Sequence, residues 1–182
     1  MKATNLYAAT GVAIIALVAS AVSLAASKVE IDASVSTALK HFDTISPNHR
    51  ELQSKAAGML VFPRVTKGGA GIAGEYGEGV LRVNGSTVGY YSLSSASIGL
   101  TLGIAKHSEI IMFMTKDALD KFTQSKGWSI GADAQVALVK AGAGGAYDSQ
   151  TLQKPILGFV FGEKGLIADL SLEGSKINSI DR

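Results

Sequence analysis

The apolar residues of segment 32–46 recur at the spacing of an amphipathic helix. Asp32 is placed to cap this helix, and Pro47 stops it. Ser46 and Pro47 then resemble the start of a second helix, which we expect to run to about Ala57. The apolar positions of the first helix, at intervals of four, three and three residues, are Val35, Leu39, Phe42 and Ile45.

From Met59 onward the chain changes to short apolar runs separated by turn residues. The turn Asn84-Gly85 predicts a two-residue β-hairpin, and Thr115 is placed to cap a short helix over 116–124. The predicted strands cover residues 59–65, 80–83, 86–91, 108–115, 128–138, 156–161 and 166–172. We therefore expect an α+β fold, in which N-terminal helices precede a mainly antiparallel, barrel- or sandwich-like sheet with one short helix inserted.

The first 27 residues have the pattern of a secretory signal peptide. Lys2 provides a positive start, and no charged residue occurs from Leu6 to Ala26. Small residues offer cleavage after Ala25 or after Ser27. The alternative is an uncleaved anchor, since this stretch is just long enough to span a bilayer. Either way, residues 28–182 form a single domain, which we expect to be exported to the periplasm or secreted, or tethered to the inner membrane if the leader remains.

Composition narrows the function classes. Hydrophobic residues make up 47% of the 182 residues and charged residues 18%, which excludes a disordered chain. The absence of cysteine excludes disulfides, thiolate nucleophiles and zinc–thiolate sites. A net charge of +2 is too small for a protein that binds nucleic acid through its phosphates.

The stretch Gly69–Gly74 matches the G-x-G-x-x-G pattern of dinucleotide-binding loops. In such loops the last glycine opens a helix, whereas here Glu75, Glu78 and further glycines follow. These carboxylates would also repel a phosphate. We therefore interpret the run as a β-strand with bulges and close backbone approach.

No catalytic, metal or cofactor site is expected from the remaining polar residues. Glu75 and Glu78 would point to opposite faces of a strand, so they predict a solvated pair at a rim and not an acid/base pair. The serine-rich run 92–97 lacks the turn of a nucleophilic serine. The three histidines show no metal-ligand spacing and are expected to be exposed: His41, His49 and His107.

Four long blocks of the chain resemble the SYLF-domain family. They lie in the order expected for that family and together cover essentially all of the chain after the leader. The blocks are GMLVFPRVTKGGAGIAGEYGEGVL (58–81), YYSLSSASIGLTLG (90–103), FMTKDALDKF (113–122) and GFVFGEKGLIADLSLEGSKI (158–177). The resemblance implies a lipid-binding module without catalytic activity, whose eukaryotic relatives bind phosphoinositides and, in fungi, actin filaments.

In that family membrane contact is usually placed in the N-terminal amphipathic helix and adjoining basic residues. The corresponding stretch here, residues 28–57, carries four basic and four acidic side chains. Electrostatic capture by a basic cluster is therefore not expected from this helix alone. Its apolar face offers two alternatives, insertion into a membrane or packing on the sheet as core.

Lipid binding in the cell envelope is the first hypothesis. Its candidate contacts lie near the glycine-rich run or close to the following strand: Arg64, Lys67, Arg82, Lys106 and His107. The expected partner is a membrane lipid of phospholipid or phosphoinositide type. The alternative is a protein-interaction or structural module of the envelope, with lipid contact incidental and another envelope protein as partner. An enzyme is the third hypothesis, supported only by the paired glutamates and scattered serines and histidines.

Overall fold

The computed structural model describes residues 26–140, 147–167 and 170–182, with the side chains of 70–72 and 97–102 left out. The proposed leader, up to residue 25, lies outside the described residues. Two helices open the fold, α1 (Lys28–Ile45) and α2 (Asn48–Lys55). Ser27, and not Asp32, caps α1 in a capping box with Glu30, so the helix starts earlier than expected.

One long hairpin dominates the fold. Strand β1 (Gly58–Val83) pairs with β2 (Ser86–Phe113) antiparallel along its length, with three register shifts. Asn84 and Gly85 form the turn with φ of 50° and 78°, which confirms the predicted two-residue turn. The run Gly69–Gly74 continues as strand with a register shift between Ala70 and Ile72, as its interpretation as a bulged strand predicts.

The remaining elements complete one curled, half-barrel sheet. They are α3 (Lys116–Gln124), β3 (Trp128–Ser129), β4 (Ala137–Leu138), α4 (Ser149–Leu152), β5 (Ile156–Gly162), β6 (Gly165–Leu166) and β7 (Lys176–Ile180). The early part of β2 pairs with β7 and its last part with β5. All described pairings of named strands are antiparallel except β4 with β5, so the expected α+β class is confirmed.

The hairpin bends back on itself, so that its two halves face each other. A Cβ atom on Gly77 would lie 2.9 Å from Cγ2 of Val65 in the same strand. Alternate residues of both strands point into the space between the halves and form an inner core with α3 and Trp128. A second core lies between the opposite face of the sheet and α1 and α2.

The strands predicted over 59–65 and 80–83 are parts of one strand, β1, and those predicted over 86–91 and 108–115 belong to β2. Two further predicted strands are wrong in extent. The segment 128–138 is broken because the Asp133 carboxylate accepts a hydrogen bond from the Ser129 amide at 2.6 Å and Gly131 adopts φ of 93°, which turns the chain. Of the predicted strand 166–172 only Leu166 is in a strand, and residues 168–169 lie outside the described part. Strand β7 was not predicted, since Ile177 is its one fully buried residue.

Candidate functional site

Three ionisable side chains meet in the interior between the two halves of the hairpin. His107 and Glu109 alternate with Ile111 on β2, and Glu75 comes from β1. His107 is 5% exposed, Glu109 3% and Glu75 9%. His107 Nε2 lies 2.9 Å from Glu109 Oε1 and 3.4 Å from Glu75 Oε1. The bend of the hairpin thus brings together groups that are distant in sequence.

Part of this cluster is hydrogen-bonded and part is not. Ser95 Oγ on β2 donates to Glu75 Oε2 at 2.8 Å. Among the described residues, His107 Nδ1 and Glu109 Oε2 are buried without a hydrogen-bond partner. A buried polar atom without a partner carries a desolvation penalty of about 1–3 kcal/mol, so such atoms are uncommon in native structures.

The electrostatics of the cluster favour a neutral or compensated carboxyl at Glu109. Burial raises the pKa of Glu109 above its ordinary value, and the neighbouring charge of Glu75 acts in the same direction. The hydrogen bond and charge of His107 oppose this, and Lys67 on β1 does so more weakly. Lys67 therefore belongs to the electrostatic surroundings of the cluster.

Two adjacent open grooves flank α1 and the β1–β2 hairpin. The first, of about 610 Å³, runs between α1 and the strands, and the second, of about 560 Å³, extends toward Tyr76 and Glu78. The two grooves have four lining residues in common: Ser34, Pro63, Arg64 and Lys106. His107 lines the first groove and Glu75 the second, so each groove borders one member of the buried cluster.

The predicted lipid contacts are brought together only in part. Arg64 and Lys106 are exposed and share the wall between the grooves, where Arg64 Nη2 donates to Ser34 Oγ at 3.0 Å. His107 is next to them but buried. Arg82 lies elsewhere, near the hairpin turn, where it donates to the Gly85 carbonyl and lines a separate recess with Gln53.

Residues 94–181 match a family model described as "Ysc84: Las17-binding protein actin regulator". This segment carries a SYLF-family domain. The match begins inside β2 and ends one residue after β7. It confirms the family indicated by the sequence blocks, although the block at 58–81 precedes the matched segment. No curated protein matches the chain.

The apolar face of α1, which precedes the matched segment, is buried. Val35, Leu39 and Phe42 belong to the second core, between the sheet and the helices, and the half-buried Ile45 packs against it. Of the two alternatives for this face, membrane insertion and packing on the sheet, the structure has the packing. Within the described residues no helix has the length and apolar character needed to cross a bilayer.

The expectation of solvated histidines is wrong at two positions. His49 is fully buried, its Nδ1–H donates to the Phe42 carbonyl at 2.6 Å, and its Nε2 lies 2.5 Å from the Tyr147 hydroxyl. His107 is buried in the cluster, and His41 is half-buried with a contact to the Gly162 carbonyl at 3.0 Å.

The expected solvated pair of glutamates is also wrong. Glu75 belongs to the buried cluster, while Glu78 is paired with Arg182 and accepts from the Tyr76 hydroxyl at 2.8 Å. The sequence contained one signal of the cluster. Glu109 is the only charged residue of the apolar run Glu109–Met114, and a charge in a central strand indicates a buried ionisable group.

Proposed function

We propose that the protein is a non-catalytic lipid-binding module of the cell envelope, and that Arg64 and Lys106 bind an anionic headgroup. The observation that carries the proposal is the convergence of these two exposed cations on the wall shared by both grooves. Ser34 and Thr37 add hydroxyl groups to the lining of the first groove, and an anionic headgroup is recognised by such a combination of charges and hydroxyl donors.

An exposed apolar residue next to these cations supports contact with a bilayer. Ile104 is 78% exposed and lies two positions before Lys106 on β2, so both side chains point to the same side of the strand. An apolar anchor combined with basic residues is the usual composition of a peripheral membrane contact. Two cations alone contribute about 2 kcal/mol near an anionic surface, which makes the apolar contact necessary for firm binding.

Vesicle sedimentation tests this function. At low salt we expect the protein to sediment with phosphatidylglycerol-containing vesicles and to sediment less with phosphatidylcholine vesicles. At about 0.5 M NaCl, binding to the phosphatidylglycerol vesicles should decrease, because salt screens the attraction between charges. The double variant Arg64→Gln/Lys106→Gln should bind about 30-fold more weakly, which corresponds to the loss of two cation contacts. Ile104→Ser should weaken binding to both vesicle types.

The matched control is Lys126→Gln/Lys154→Gln, which removes the same charge from exposed lysines outside both grooves. It should bind as the unaltered protein does. If the protein remains in the supernatant with both vesicle compositions at low salt, or if the double variant and its control behave alike, the proposal is wrong.

Export is part of the same proposal. It is supported by the leader pattern of residues 1–27 and by the capping box at Ser27 and Glu30, which lies just after the first cleavage position. Cleavage after Ala25 keeps the cap, whereas cleavage after Ser27 removes it. The mass of the protein recovered from a periplasmic extract distinguishes these two products from an uncleaved anchor.

A second candidate is an interaction module, favoured by the description of the matched family, which names Las17 binding and actin regulation. A partner for this chain would then be a protein of the envelope. Recovery of one stoichiometric protein by cross-linking from the envelope, in the absence of vesicle binding, supports this candidate over the first.

A further inference from the structure

We propose that Glu75, His107 and Glu109 bind one divalent transition-metal ion of the Zn²⁺ or Mn²⁺ class. This proposal concerns the buried cluster and does not rest on lipid binding. One ligand atom from each residue can be chosen so that all three lie within 4.8 Å of one another.

The distances fit a metal ion with small adjustments. Metal–ligand bonds of about 2.0–2.2 Å place the ligands of a tetrahedral ion about 3.4 Å apart. His107 Nε2 and Glu75 Oε1 are separated by 3.4 Å, and His107 Nε2 and Glu109 Oε1 by 2.9 Å. A shift of the Glu109 carboxylate by about half an ångström would bring the second distance to the same value. Such a shift lies within the usual motion of a side chain.

The charges also fit a divalent cation. Two ionised carboxylates buried side by side cost several kcal/mol unless a positive charge compensates them. A divalent ion neutralises both carboxylates, and imidazole binds metals in its uncharged form. Glu109 Oε2, which has no hydrogen-bond partner among the described residues, belongs to the same carboxylate and is available as a further ligand atom.

The surroundings have the features of a supported metal site. Ser95 Oγ donates a hydrogen bond of 2.8 Å to Glu75 Oε2, and carboxylates that bind metals are commonly oriented by such donors. Each groove borders one of the three residues, Glu75 or His107, and these borders are the proposed entry path for an ion. One imidazole nitrogen and two carboxylates favour Zn²⁺ or Mn²⁺ over Mg²⁺ and Ca²⁺, which prefer oxygen ligands alone.

Calorimetric titration of chelator-treated protein with ZnCl₂, MnCl₂ and CaCl₂ tests the proposal. We expect one equivalent of Zn²⁺ or Mn²⁺ to bind, with Ca²⁺ weaker. At a hundredfold excess over the dissociation constant, the melting temperature should rise by roughly 5–10 °C. The variants His107→Gln and Glu109→Gln should each weaken binding by about 100-fold or more, because the loss of a ligand costs more than the roughly 10- to 100-fold loss of a group that only supports one.

Two matched controls lie near the cluster but outside it. His41→Gln alters a histidine of the first groove, and Glu78→Gln alters a glutamate of the same strand as Glu75. Both should bind metal as the unaltered protein does. Should a ligand variant fail to fold, zinc X-ray absorption on the unaltered protein still reads the ligands, and one imidazole with carboxylate oxygens is expected.

Three results overturn the proposal: no saturable binding of any of the three ions, unchanged binding in His107→Gln and Glu109→Gln, or an absorption spectrum without an imidazole ligand. The variant Arg64→Gln/Lys106→Gln should bind metal normally. Failure of the metal site and failure of lipid binding are therefore separately observable.

Discussion

A Cβ atom on Gly79 would overlap the carbonyl oxygen of Val61 and lie 2.8 Å from its carbonyl carbon, although both residues belong to β1. The two halves of the strand thus pass each other at backbone distance. Only glycine permits this approach, because every other residue carries a Cβ atom. The bend of the hairpin, and with it the buried cluster, depends on this contact.

Gly79→Ala should therefore destabilise the protein by about 3 kcal/mol or more, since the atoms in conflict are backbone and cannot move aside. Urea unfolding measures the loss. Gly74→Ala is the control, because no atom lies within 4 Å of a Cβ at that position, and it should be neutral or slightly stabilising. Equal stability of the two variants would contradict the close approach.

Phe42→Ala tests whether the apolar face of α1 is core. Phe42 is fully buried, stacks on His49 with ring centroids 3.6 Å apart, and meets Phe159 edge-on at 5.0 Å. We expect a loss of about 3–5 kcal/mol in urea unfolding without lipid. Val29→Ala on the same helix, where Val29 is 78% exposed, should cost less than about 0.5 kcal/mol. If α1 did not pack on the sheet, both substitutions would change the free energy of unfolding only slightly.

The buried His49 should make stability depend on pH. Burial lowers the pKa of His49, while its hydrogen bond to the Phe42 carbonyl acts in the opposite direction. The folded state therefore binds fewer protons than the unfolded state below the ordinary histidine pKa of about 6.5. This contribution to stability is complete above that value and decreases as the pH falls toward the folded pKa, by at most about 1.4 kcal/mol per pH unit.

His49→Gln removes the titrating group, so the difference in unfolding free energy between the two proteins should be constant above about pH 7.5 and shrink as the pH falls below about 6.5. The other histidines and the carboxyl groups occur in both proteins and cancel in the difference. A difference that does not change with pH would show that His49 titrates normally.

Ser27→Ala should remove the cap of α1. Ser27 Oγ accepts a hydrogen bond from the Glu30 amide at 3.3 Å, and the Glu30 carboxylate accepts from the Ser27 amide at 2.8 Å. Loss of such a cap costs about 1 kcal/mol. Ser36→Ala, in the interior of the same helix, should instead be neutral or gain about 0.5 kcal/mol. Thermal unfolding of both variants distinguishes the two positions.

The local parts of the fold could be predicted because local chemistry decides them. Thr115 caps α3, which covers Lys116–Gln124 as expected, and Asn84-Gly85 makes the expected turn. The strand expected over 128–138 failed although its apolar residues alternate regularly, because Gly131 and Asp133, at two of its polar positions, close a turn that periodicity alone does not reveal.

The bend of the hairpin and the cluster inside it could not be predicted in the same way. They depend on contacts between distant residues, such as Gly77 with Val65 and Glu75 with His107. A glycine in a strand signals close approach, but it does not name its neighbour. Similarly, the sequence indicated basic residues near the glycine-rich run, yet only the folded chain separates Arg82 from Arg64 and Lys106.

Because β2 pairs with β1 on one side and with β5 and β7 on the other, the stretch that the family model matches is not self-sufficient. A fragment starting at residue 94 would begin in mid-strand and leave a long row of backbone amides and carbonyls without the ladder that β1 supplies. Such a bare edge recruits strands from other molecules. Expression of that fragment alone should therefore give aggregates, and we expect the smallest soluble form of this protein to include the whole hairpin.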